Sequence, residues 1–292
     1  MSGPFGVMSI ILLEAAAGGA LVLWATGTWG AVRRGFFLLT GVTVTLCAFG
    51  AWSLAASGVR SAEAAWAAGA VAAVDGQVAA PGSEQATQAV REAAALAGPP
   101  GRRMVAGVGV FAGLALLWQV LLVVAPGRVS RLAGLAATAS GVVALVLVGL
   151  ARGVDVIAAT AELALGGVFL GSTVVGLLLG HWYLVERRLT NVYMVRAARW
   201  YAAGVVAAAA AVALSLRHPA PRLSTGFSPV LAVPGFSSLL AAGLVAVCAL
   251  IAAFVWKLAG EGGRSIQAAT GMFYLAVIMA FSAEMAAKLG FF

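Results

Sequence analysis

The chain has 292 residues, 62% of them hydrophobic and only 10% charged, with a formal net charge of +8. A soluble domain carries about a quarter charged residues, so this composition excludes one and predicts an all-α, polytopic integral membrane protein. The apolar runs are continuous, which excludes an alternating β-barrel. The arginines lie between those runs, where they orient a membrane chain and do not read as a nucleic-acid surface.

A crossing needs roughly 20 apolar residues. In chain order, eight segments meet or approach that length: 5–26, 35–57, 104–125, 132–151, 154–185, 200–216, 236–256 and 266–291. The first lacks a basic flank ahead of its apolar run, so it reads as a span and not a secretion signal. It carries Glu14-Ala15-Ala16-Ala17-Gly18-Gly19 and closes on Gly27-Thr28-Trp29-Gly30 before Arg33 and Arg34. After the second comes a long connection, 58–103. Its Ala-rich stretches 60–74 and 83–97, separated by Pro81-Gly82, have the composition of two short helices on the outer surface, and the connection reads equally as a mobile loop or as a docking surface for a partner.

The fifth segment is too long for an upright crossing and is expected to tilt, kink or protrude. It carries Glu162-Leu163-Ala164-Leu165-Gly166-Gly167 and ends on Gly180-His181-Trp182-Tyr183. Gly176 and Gly180 form a small-xxx-small pair suited to close helix packing. Trp182 and Tyr183 read as an interfacial aromatic belt, with Trp29 as the matching residue of the first span. Between the sixth and seventh segments, a proline-bearing connection over 217–235 is a second external candidate. Cys47 and Cys248 lie deep in apolar runs and read as packing residues, not as a disulfide or a metal pair.

Basic residues fix the direction. Arg33, Arg34, Arg128, Arg131, Arg187, Arg188, Arg196, Arg199, Lys257 and Arg264 follow spans 1, 3, 5 and 7. The short connections opposite hold only Arg152, Arg217 and Arg222, with Lys288 near the C-terminus. The positive-inside rule then places both termini outside a bacterial cytoplasmic membrane.

The two Glu-x-x-x-Gly-Gly phrases, together with Ala136-Ala137-Thr138 and Ala268-Ala269-Thr270 in spans 4 and 8, predict a duplication: 1–151 and 152–292 as tandem, parallel four-helix units. One mismatch stands in the repeat. Glu14 to Gly27 is 13 residues, and Glu162 to Gly180 is 18. Either the fifth span contains a kink or bulge near Gly166, Gly167 or Gly171, or one end of the match is coincidental.

Three acids are embedded: Glu14, Glu162 and Glu284. At 1.5 Å per residue they all lie roughly 10–14 Å below the outer boundary, and Asp155 lies seven residues before Glu162, nearer the surface. An isolated glutamate there costs roughly 3 kcal/mol or more. Three at one depth predict a shared polar pocket that handles protons, with Asp155 as an exit; the plain alternative is neutral acids bonding neighbouring helices. His181, near the inner end of span 5, is either a belt residue or an inner proton or headgroup site.

A haem held across the bundle needs paired axial ligands, but the only histidines are His181 and His218. No Cys-x-x-Cys, His-Glu-x-x-His, phosphate-loop or Gly-x-Ser-x-Gly pattern appears, so no haem or metal is assigned to this chain.

Eight spans in two tandem four-helix units, with Leu12-Leu13-Glu14-Ala15-Ala16-Ala17-Gly18-Gly19-Ala20 in the first and Ala283-Glu284-Met285 in the last, resemble the NrfD/polysulfide-reductase membrane-subunit family. That resemblance implies a haem-free subunit binding quinone (menaquinone or ubiquinone) near one membrane face. It implies electron exchange with a peripheral Fe–S or cytochrome partner on the outer face. Glu14, Glu162 and Glu284 would then form the quinone pocket or its proton exit, with Gly18, Gly19, Gly166 and Gly167 lining the cofactor. A proton-coupled secondary transporter and a purely structural or assembly subunit are the competing expectations.

Overall fold

The computed structural model describes residues 4–30, 32–74, 96–152, 155–186, 188–216 and 235–289. Eight α-helices run in order: α1 (Pro4–Thr26, followed by a 3-10 turn at Gly27–Trp29), α2 (Arg34–Val74), α3 (Pro99–Val124), α4 (Arg128–Arg152), α5 (Val156–Val185), α6 (Val192–Ser215), α7 (Phe236–Glu261) and α8 (Ser265–Lys288). Every one is long and apolar enough to cross a membrane. The described residues contain no strand. The chain is therefore an all-α, multi-pass membrane protein.

Local chemistry sets the ends. Pro99 and Pro100 open α3, where a missing N–H costs nothing. Gly262 and Gly263 adopt positive φ of 71° and 55°, which turns the chain from α7 into α8 within three residues.

The helices pack in two sets of four. Along α1, α2, α3 and α4 each helix packs on the next, and α4 returns onto α1. The set α5, α6, α7 and α8 closes in the same way. The sets meet where α1 lies along α5, flanked by α4 on α5 and α8 on α1. In its most apolar window α1 is 83% buried and α5 67%, against at most 44% for any other helix. The outer helices turn Leu46, Val120, Leu132, Val206, Leu250 and Ile278 outward. Such a surface suits lipid and would be a liability in water.

Between helices in lipid there is little hydrophobic drive, so close backbone approach and polar contacts hold them. Glycine provides that approach at the centre. A methyl group on Gly18 would stand 1.7 Å from the Gly167 carbonyl oxygen, and one on Gly171 would stand 2.1 Å from the Gly18 carbonyl carbon. Only hydrogen fits at this α1–α5 crossing.

Three expectations change. The 60–74 stretch is not a separate surface helix. It continues α2, because alanine is the best helix former and no proline interrupts it. At 41 residues α2 is about 60 Å long, and its last turns extend past Ala64, where the membrane-length part ends. Residues 99–103 likewise belong to α3. The second Ala-rich stretch, apart from Leu96 and Ala97, and the 217–235 connection, apart from Gly235, lie outside the described residues. Finally, α5 is one uninterrupted α-helix with no bulge. Thr26 ends α1 12 residues after Glu14, whereas α5 runs on to Val185, 23 residues after Glu162. The Glu-x-x-x-Gly-Gly end of the match is therefore the structural one, and the Gly/Trp end is coincidence.

Gly18→Ala and Gly171→Ala should each lower stability by more than the ~1–3 kcal/mol usual for overpacking, because the obstacle is backbone. Gly113→Ala, with no atom within 4 Å of the added carbon, should be neutral or stabilising by up to about 1 kcal/mol. Thermal unfolding of the detergent-purified variants checks the contrast; equal effects at all three positions would contradict the crossing.

Candidate functional site: a lysine among three buried glutamates

The crossing of α1 and α5 decides where the acids go. On each helix the glutamate sits one turn before the glycine pair. When the glycine segments interlock, Glu14 and Glu162 therefore come together at one end of the bundle. Glu284 of α8 joins them. All three are buried, at 0%, 5% and 3% exposure.

At the centre stands Lys288, the last residue of α8, with its side chain fully enclosed. Its Nζ donates to Glu162 Oε1 at 2.9 Å. It lies 3.3 Å from Glu14 Oε1 and 3.7 Å from Glu284 Oε2. Those are ion-pair distances without the alignment of a hydrogen bond. Arg152, the last residue of α4, brings Nη1 to 3.7 Å from Glu162 Oε2. Gly166 provides the floor: a methyl group there would meet Glu14 Oε1 at 2.8 Å and Glu284 Oε2 at 3.0 Å.

The cluster is built almost twice over. α1 and α5 contribute a glutamate each, and α4 and α8 each end in a cation. Thr138 and Thr270 occupy matching places in α4 and α8, each donating to the carbonyl four residues back, of Gly134 and Ile266, at 2.9 Å. Fourteen residues on from these threonines stand Arg152 and Glu284. The second unit thus has an acid where the first has a cation, and adds its own cation one turn later at Lys288.

A buried ion pair recovers its desolvation cost only with good geometry, and removing one partner strands the rest. Here Glu162 takes the best hydrogen bond. Both oxygens of Glu14 and Oε2 of Glu284 are buried and accept no hydrogen bond. These are unspent acceptors, suited to a proton or to a hydroxyl donor. Among the described residues no set of three His, Cys, Asp or Glu side chains is arranged to hold a metal ion.

The other sequence candidates fall elsewhere. Asp155 is exposed and caps α5, its Oδ1 accepting from the Ala158 N–H at 3.2 Å from a left-handed backbone position at φ 33°. His181 is 19 residues along α5 from Glu162, about 28 Å away. There its Nε2 meets the Tyr274 hydroxyl while Nδ1 lies 3.3 Å from the Leu177 carbonyl. One face of the expected aromatic belt is corrected: Tyr183 is buried, bonding the Thr190 carbonyl and the Met194 N–H to hold the turn into α6. An open cavity of about 770 Å³ near this end is lined by Gly180, Tyr183, Asn191, Glu261, Gln267 and Thr270. Glu14, Glu162 and Glu284 do not line it.

The glycine pairs serve the crossing. Gly18 and Gly167 touch, Gly19 faces Val44, and Gly166 faces the carboxylates. Sequence reading missed Lys288 and Arg152, treating both as charges flanking spans. The signal for Lys288 was present: Glu284-x-x-x-Lys288 puts acid and base on one helix face.

Lys288→Met should destabilise the protein by roughly 3–5 kcal/mol, the usual effect of stranding a buried ion-pair partner. Lys288→Arg, which keeps the charge, should cost less; thermal unfolding in lipid nanodiscs ranks the two. No protein-family model matches this chain, and no curated protein or solved structure resembles it closely enough to count as a match.

Proposed function

We propose that this chain is a haem-free, quinone-interacting membrane subunit of a bacterial electron-transfer complex, in which Glu14, Glu162 and Glu284 handle protons. One observation carries the reading: three carboxylates from three helices surround one buried lysine, and three of their oxygens are buried acceptors without a hydrogen bond. A membrane-embedded proton acceptor of this kind is what quinol oxidation requires, since a bound quinol releases protons together with its electrons. Glu14 and Glu284 supply acceptors for a hydroxyl donor. Lys288 and Arg152 hold the remaining charge in place, so the site is preorganised.

The partner would dock at the same end of the bundle. α2 finishes and α3 begins at that end, and α2 continues beyond its membrane-length part with Trp66 exposed. A peripheral Fe–S or cytochrome protein seated there would lie over the acids. The positive-inside rule makes this the outer face of the cytoplasmic membrane, with both termini outside.

A second reading has one observation in its favour. The cluster lies where the two four-helix sets meet, which is where secondary transporters place coupling ions. The glycine contact weighs against it, because rocking one set against the other would have to separate Gly18 from Gly167 and Gly171.

The test uses the chain purified with its partner proteins. Quinone should be extractable from the complex. Glu14→Gln should assemble normally yet lower quinol oxidation at least about 10²-fold, the scale of lost acid–base catalysis. No bound quinone, together with unchanged oxidation in the variant, would reject the reading. Solute uptake by proteoliposomes driven by a proton gradient would establish the carrier instead.

A further inference from the structure

At the end of the bundle opposite the three acids, guanidinium groups gather around one groove. Glu186 follows the last residue of α5 there, 24 residues beyond Glu162 and roughly 36 Å along the helix axis. Where the α1–α2 turn meets the α5–α6 turn, a groove of about 230 Å³ is lined by Arg33, Glu186, Arg188, Leu189, Thr190 and Tyr193. That is less than the roughly 300–1,000 Å³ of a drug-sized pocket, so the groove suits a small group. Its lining sets the sign of that group. Glu186 answers Arg33 with an ion pair at 3.0 Å. Arg188 enters no ion pair among the described residues. Ala31 and Arg187 lie outside the described residues, and neither is an acid. Glu261, the other described acid at this end, accepts from the Ser265 hydroxyl at 2.8 Å and lines the separate, larger cavity. The groove is electropositive.

Beside the groove a third guanidinium is held by aromatic rings. Trp29 and Tyr193 stack with centroids 6.0 Å apart, and the Arg196 guanidinium carbon stands 5.7 Å from each centroid. Stacking uses the face of a guanidinium and leaves its N–H edge, the edge that binds phosphate oxygens in pairs. Arg33 pairs with Glu186 through Nε while its side chain stays 73% exposed, so its terminal N–H groups remain for a ligand. Basic pockets between helix ends on the cytoplasmic side of a membrane are suited to anionic headgroups, and the positive-inside rule makes this end the inner face. We propose that the groove binds a phosphate group, with Arg33 and Arg188 as its ligands and the Trp29–Tyr193–Arg196 stack as the wall that positions it. The phosphate belongs to the headgroup of an anionic phospholipid or to a free anion; the chemistry of recognition is the same. The site is separate from the buried acids, and it does not depend on quinone being the reactant.

Native mass spectrometry of the full-length, detergent-purified protein tests this with a short-chain phosphatidylglycerol, a diacylglycerol of the same chain length, and inorganic phosphate. A phosphate-bearing probe should be retained and the diacylglycerol should not. Arg188→Gln and Arg33→Gln should each weaken that binding about 10-fold or more, the scale of a lost charge-assisted hydrogen bond. Arg188→Lys keeps the charge but loses the planar fork, and should weaken it less than Arg188→Gln does. Lys257→Gln removes a charge at the same end of the bundle but outside the groove, and should change binding by less than about 2-fold, because an exposed charge at a distance is screened. Retention of phosphatidylglycerol that inorganic phosphate does not displace supports the site with a lipid headgroup as its ligand. Retention of inorganic phosphate without the lipid supports it with the free anion. Three results would overturn the proposal: no phosphate retained from either source, diacylglycerol held as strongly as phosphatidylglycerol, or equal losses in Lys257→Gln and Arg188→Gln.

Discussion

The structure depends on one contact, the glycine-to-glycine crossing of α1 and α5. In lipid, two helices gain little from burying apolar side chains against each other, so backbone approach must do more of the holding. Gly18, Gly167 and Gly171 allow that approach. Because each glycine pair follows a glutamate by one turn, the same contact that joins the two halves draws Glu14 and Glu162 together. Packing and chemistry are therefore one feature of the sequence, read at two adjacent turns.

The second constraint follows from the first. Acids brought together inside a membrane repel one another and lose their water. Lys288 and Arg152, each the last residue of its helix, answer this at the two different oxygens of Glu162. Cations at helix C-termini also meet the negative end of the helix dipole, so both sit where local fields favour them. The pairing is uneven: Glu162 takes the one hydrogen bond from Lys288, while both oxygens of Glu14 and Oε2 of Glu284 are buried without one.

Much of this was legible in the residues. Hydropathy placed all eight crossings, because membrane thickness sets a length that few other structures share. The duplicated phrase pointed to the meeting of the acids, because a carboxylate in an apolar run needs a partner. What stayed hidden was the identity of the partners. A basic residue at the end of a span ordinarily snorkels to the interface, and nothing in the sequence of Lys288 alone says that it turns inward. The centrality of α1 and α5 was equally invisible, since every span is uniformly apolar and its buried face is chosen only by packing. The length of α2 was misjudged because an Ala-rich stretch beyond a span reads the same whether it bends along the surface or continues straight.

The central claim is that Glu14 and Lys288, 274 residues apart in the chain, form one electrostatic unit. A double-mutant cycle on thermodynamic stability, using Glu14→Gln, Lys288→Met and the pair, measures this directly. The account predicts a coupling of about 1 kcal/mol or more, with the double variant more stable than the sum of the single losses allows. Losses that add to within about 0.5 kcal/mol, the behaviour of distant independent sites, would contradict it.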